Sequence, residues 1–141
     1  MDKAPRVPGT DDLRSVLIKV IEDFAYLPAA SGPAAQADLP LAVRASLPDG
    51  RGWLLLRSTP ALARLLAEAS SGESSESLGL DSFVELCNLA ASHLVSQVWA
   101  GERSSYQPFV PEMGAPSGRQ SARVMLDVDG QLLEASYWAA A

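Results

Sequence analysis

Four polar residues in one stretch of the chain share a spacing that could do chemistry. Asp81, Glu85, Asn88 and Ser92 stand at i, i+4, i+7 and i+11. Read as a helix at about 100° per residue, they form one narrow stripe, each about one turn above the last. The stripe offers two carboxylates, an amide and a hydroxyl. A carboxylate accepts hydrogen bonds and brings charge; an amide donates and accepts without charge. Away from the stripe the segment is apolar, with Leu80, Phe83, Val84, Leu86, Cys87, Leu89, Ala90, Ala91, Leu94, Val95 and Val98, and no Lys or Arg follows before Arg103. An ordinary surface helix carries a broad, highly charged face. This pattern suits a helix wrapped by protein with one small-polar strip left facing out. The spacing alone also fits polar residues on the wet side of a core helix.

Other reactive side chains read as structural. Cys87 has no flanking cation and an apolar side, the signature of a small core residue rather than a nucleophile. His93 lies off the stripe without an acid or cysteine partner in sequence and reads as a surface histidine. Asp127 and Asp129 fit a turn with Gly130 without needing an ion. One cysteine and one histidine give neither an intrachain disulfide nor a metal cluster, so no metal ligands are assigned.

The elements that must position the stripe follow from patterning. With 141 residues, 48% hydrophobic and 20% charged, the chain reads as a single globular domain over 1–141, with 1–9 a loose arm. A net charge of -6 argues against nucleic acid or anionic membrane as the main partner. No run reaches membrane-span length, and the charged, proline-containing start does not read as a signal peptide, so a cytoplasmic protein is expected. Thr10 or Asp11 is expected to cap a first helix running to about Tyr26, with Leu13, Val16, Leu17, Val20, Ile21 and Phe24 on its apolar face. Ala29 to Pro40 reads as a connector.

Leu41 to Leu47 alternates as a half-buried strand, and Trp53 to Arg57 returns after turn chemistry at Pro48–Gly52. Ser58 or Thr59 caps a second helix with Pro60 in its first turn. Ser70 to Ser77 reads as a polar loop, followed by the long helix from about Leu78 to Gly101. Tyr106 to Pro111 reads as extended and Met113 to Gly118 as a loop. Arg119–Asp127 and Gln131–Trp138 form a hairpin about Asp129-Gly130. The strands join by hairpins, so the expected class is α+β: an antiparallel sheet packed with two long helices and one shorter helix. Trp53, Trp99 and Trp138 are expected in the core or a dimer contact.

These residues resemble the CheC/CheX/FliY phosphatases of bacterial chemotaxis. That family carries an acid or serine, three residues, a glutamate, two residues, an asparagine, and a proline some twenty residues on. Asp81, Glu85 and Asn88 match, and Pro111 lies 23 residues after Asn88. The hairpin about Gly50 and Gly52, the Ser-Thr-Pro helix start and the closing hairpin follow the order seen in CheX. Cys87 and Ser92 stand where glycines are common. CheC-like members carry a second motif on the other pseudo-symmetric helix; here that helix, residues 10 to 27, has no asparagine. The resemblance therefore implies one site and a homodimer, as in CheX.

The implied activity is hydrolysis of the aspartyl phosphate of a CheY-like response regulator. Asn88 would hold the attacking water and Glu85 would pair with the partner's active-site lysine. Asp81, Ser92 and Pro111 would contribute partner contacts. The implied Mg²⁺ belongs to the regulator, and no cofactor is expected on this chain. The alternative is a non-catalytic module of the same fold that binds a response regulator or a flagellar-switch partner.

Overall fold

The computed structural model describes residues 7–32, 39–72, 76–99, 112–114, 116 and 118–139. Among the described residues, three α-helices lie on one face of a six-stranded sheet. In chain order the elements are α1 (Thr10–Ala25), β1 (Ala29–Ser31), β2 (Leu41–Leu47), β3 (Gly52–Ser58), α2 (Pro60–Ser71), α3 (Glu76–Val98), β4 (Glu112–Met113), β5 (Arg119–Val128) and β6 (Gln131–Ala139). The strand order is β1-β5-β6-β3-β2-β4, and each neighbouring pair is antiparallel. The expected α+β class, with two long helices of 16 and 23 residues and one of 12, is what the chain forms.

Local chemistry accounts for most element ends. Thr59 Oγ1 accepts the Leu62 N–H at 3.2 Å and Pro60 occupies the first turn of α2, so this start needs only local sequence. At α1 the structure corrects the expected cap. Gly9 is the N-cap, and Asp12, three residues on, accepts the Gly9 N–H at 3.0 Å. Thr10 is already helical, because the acid reaching back satisfies the flanking donor that a Thr or Asp cap would leave free. At the other end Tyr26 adopts φ 55° and donates its N–H to Glu22 O. The closing hairpin turns at Asp129 (φ 50°) and Gly130 (φ 88°), with Asp127 Oδ1 accepting the Gly130 N–H at 2.8 Å.

Strand alternation sends Val43, Ala45, Leu47, Leu54, Leu56, Val124, Leu126, Leu133 and Ala135 into the core under the helices. From α1 come Leu13, Leu17 and Ile21; from α3 come Phe83, Leu86, Cys87, Ala90 and Leu94. The other sheet face carries Trp53 opposite Trp138, Leu55 opposite Ser136 and Arg57 opposite Glu134. Gly52, where the β2–β3 turn meets the sheet, has φ 105°, and a Cβ there would collide with Trp138 O.

Three expected loops are wholly or partly regular structure. Ala29–Ser31 is a strand, because the edge of β5 turned away from β6 is free to pair with it over Leu126–Val128. Glu112–Met113 pairs with β2, held also by Arg44 to Glu112 at 2.8 Å. The Ser70–Ser77 segment is helical at both ends, as α2 runs to Ser71 and α3 begins at Glu76. Gly101 and the Tyr106–Pro111 segment, expected to be extended, lie outside the described residues. No helix among the described residues is long and apolar enough to cross a membrane.

Candidate functional site

The sequence of α3 dictates how its stripe is presented. Phe83, Leu86, Cys87, Ala90, Ala91 and Leu94 are wholly buried, fixing the inward face against β2, β3, α1 and α2. With those positions inward, Asp81, Glu85 and Ser92 come out exposed. Asn88 is half-buried at the border of the stripe. Glu85 is thus more open than Leu86, Leu89 and Ala90. Asn88 is more open than Leu86 and Ala90, and Leu89 is half-buried like it. The helix rises about 1.5 Å per residue, so Glu85 and Asn88 lie about 4.5 Å apart along the axis and share one face.

Among the described residues, the side chains of Asp81, Glu85, Asn88 and Ser92 engage no hydrogen bond or ion pair. They belong to no core network and are open to an incoming group. Pro111, the expected fifth contact, lies outside the described residues.

Cys87 sits beneath the stripe with its Sγ 3.7 Å from Val43 O. Burial pushes its thiol up to about 12, so at neutral pH it stays protonated and is no nucleophile. His93 is exposed. Among the described residues, no three His, Cys, Asp or Glu side chains gather to hold a metal ion.

The backbone superposes on known structures. A CheX in complex with CheY, BeF3 and Mg²⁺ from Borrelia burgdorferi superposes with a TM-score of 0.68 at 14% identity, covering 94% of this chain and 98% of that one. CheX from Vibrio vulnificus gives 0.69 at 15% identity, over 97% of this chain and 99% of that one. The chain has the CheX fold. The same architecture extends to the FliM middle domain of Helicobacter pylori, with a TM-score of 0.52, 14% identity and 94% of each chain covered. No protein-family model matches the sequence, and no curated protein does. At these identities the CheX-like likeness rests on backbone and topology, with the motif carried by a few residues of α3.

One feature beside the stripe escaped sequence reading. Leu80 and Met113 are exposed large hydrophobics at the mouth of a cleft between α2, α3 and the β2–β4 edge. Leu80 is one of many apolar residues in α3, and Met113 fell in an expected loop. Only the β4–β2 pairing brings the two together.

Proposed function

We propose that this CheX-like chain accelerates hydrolysis of the aspartyl phosphate of a CheY-like response regulator. The observation that carries this reading is an exposed Glu85 and an accessible, unpartnered Asn88 on the outward stripe of α3 in a CheX fold. Phosphoryl transfer is largely positioning plus electrostatics, and the regulator brings its own Mg²⁺ and lysine. What this chain adds is order around the attacking water. The uncharged amide of Asn88 donates one hydrogen bond and accepts another, holding the water in line with phosphorus. Glu85, one turn back, pairs with the regulator's lysine and fixes the register of docking. Asp81 and Ser92 lie at the ends of the contact. No nucleophile, general base or metal of this chain enters the step.

The reading extends to a symmetric dimer through the sheet face opposite the helices. On that face the Trp53–Trp138 pair is half-exposed, as are Arg123 and Arg57, held to Glu134 at 2.8 and 3.9 Å, while Leu55, Met125 and Glu134 are already buried within the chain. Its position leaves α3 free. Light scattering at micromolar concentration tests it, and a monomer there would argue against it.

A phosphate-release assay against the organism's phosphorylated receiver domains tests the activity. Faster release is expected with at least one of them. Binding without any gain in release would favour the second reading, a non-catalytic module for a response regulator or flagellar-switch partner. The likeness to the FliM middle domain is the observation on that side.

A further inference from the structure

We propose that the cleft beside the first turns of α3 selects which response regulator docks, by taking a segment that presents apolar side chains next to an acidic one. This rests on the reading of Glu85 and Asn88 given above. α2 and α3 approach so closely that a Cβ on Gly79 would lie 3.1 Å from the Ala63 carbonyl carbon. Next to that crossing, Leu41, Pro60, Ala63, Leu80 and Met113 line a cleft of about 590 Å³, with Arg64 the basic group among its lining residues.

Singly exposed hydrophobics are ordinary, but convergence is not. Among the described residues the exposed large hydrophobics are Val7, Tyr26, Leu80 and Met113, and the last two, 38% and 55% exposed, meet here.

Position ties the cleft to the same partner. Leu80 precedes Asp81 and lies eight residues before Asn88, about 12 Å along the helix axis. A stable protein contact covers about 800 Å² per partner, a patch reaching roughly 16 Å from its centre. A single file of small polar side chains cannot supply that area. A regulator centred on Glu85 and Asn88 therefore covers the cleft as well.

Charge gives the occupant its chemistry. The basic side chains of the helices are Arg14, Lys19 and Arg64. Arg14 pairs with Asp11 at 2.9 Å and Lys19 with Asp23 at 3.6 Å. Arg64 is exposed and has no ion pair among the described residues, so it is the cation open to a partner's carboxylate. A second copy of this chain is a poor occupant, because a two-fold contact through this face would set Asp81 and Glu85 against their own counterparts. Glu85 and Asn88 address features common to receiver domains, a lysine and a phosphoryl group. Discrimination among regulators has to come from contacts outside them.

The test titrates the organism's receiver domains, activated with beryllofluoride, against the full chain, Met113→Asp and Arg64→Glu. Both substitutions are at exposed positions, and thermal melts check that each variant folds. For the receiver that the wild type binds tightest, each variant is expected to raise Kd at least tenfold. Phosphate release at saturating chain should be unchanged, and preference over other receivers should fall. If Kd stays within twofold in both variants while Glu85→Ala weakens binding, the cleft proposal is overturned and the reading of the α3 site stands. If no receiver binds the wild type, both fall. If the variants change the chain's own oligomeric state instead, the cleft is a self-contact and the proposal is overturned.

Discussion

Cys87 Sγ stands 3.7 Å from the carbonyl oxygen of Val43 on β2, one residue before Asn88. Successive helical residues are about 100° apart, so pinning Cys87 to the sheet sets the direction in which Asn88 leaves the helix. It emerges half-buried, its stem supported by protein and its amide accessible. Asn88→Ala should therefore reduce acceleration of regulator dephosphorylation by about 10²-fold or more, since the lost contact acts mainly in the transition state. Affinity for the beryllofluoride-activated regulator should change less than about threefold. Full activity in this variant would remove Asn88 from the chemistry.

Glu85 should behave differently. It is exposed, so its worth lies in the ion pair formed on docking. Glu85→Ala should raise Kd by about tenfold, roughly 1.4 kcal/mol, and flatten the salt dependence of binding. Calorimetric titrations at two ionic strengths measure both effects. An unchanged salt slope would mean that Glu85 meets no cation.

The buried thiol predicts an alkaline limit to stability. Burial raises the Cys87 pKa from 9.0 to about 12 in the fold. Between those values the unfolded chain loses its proton while the folded chain keeps it. Stability from this group is therefore full below about pH 9 and falls by about 1.4 kcal/mol per pH unit above it. Tyr137 is also raised by burial and acts in the same direction. Urea unfolding of wild type and Cys87→Ala at pH 8 and pH 10.5 isolates the cysteine. The stability gap between them should shift in favour of the variant as pH rises, and a pH-independent gap would contradict the assignment.

The α2–α3 crossing gives a stability prediction. A Cβ at Gly79 would meet backbone atoms of Ala63 and Arg64 at 3.1 to 3.3 Å, atoms that cannot rotate aside. Gly79→Leu should destabilise by about 2–3 kcal/mol despite leucine's better helix propensity. A variant as stable as wild type in thermal or urea unfolding would show that the two helices separate easily.

Much of this protein was legible from local chemistry. Alternation placed β2, the turn at Pro48–Gly52 placed the returning β3, the Asp129-Gly130 pair placed the closing hairpin, and Thr59-Pro60 placed the start of α2. The stripe of Asp81, Glu85, Asn88 and Ser92 is a property of helical period alone, and the fold did turn it outward. What local chemistry could not supply was pairing at a distance. Ala29–Ser31 and Glu112–Met113 are too short to announce themselves; they are strands because β5 and β2 present free edges to them. The half-burial of Asn88 and the meeting of Leu80 with Met113 likewise depend on how α3 sits over β2 and beside α2. Sequence determined which residues share a face, because that follows from bond geometry along one element. Tertiary structure decided which of them are reachable and what lies beside them, because that depends on packing between elements distant in the chain.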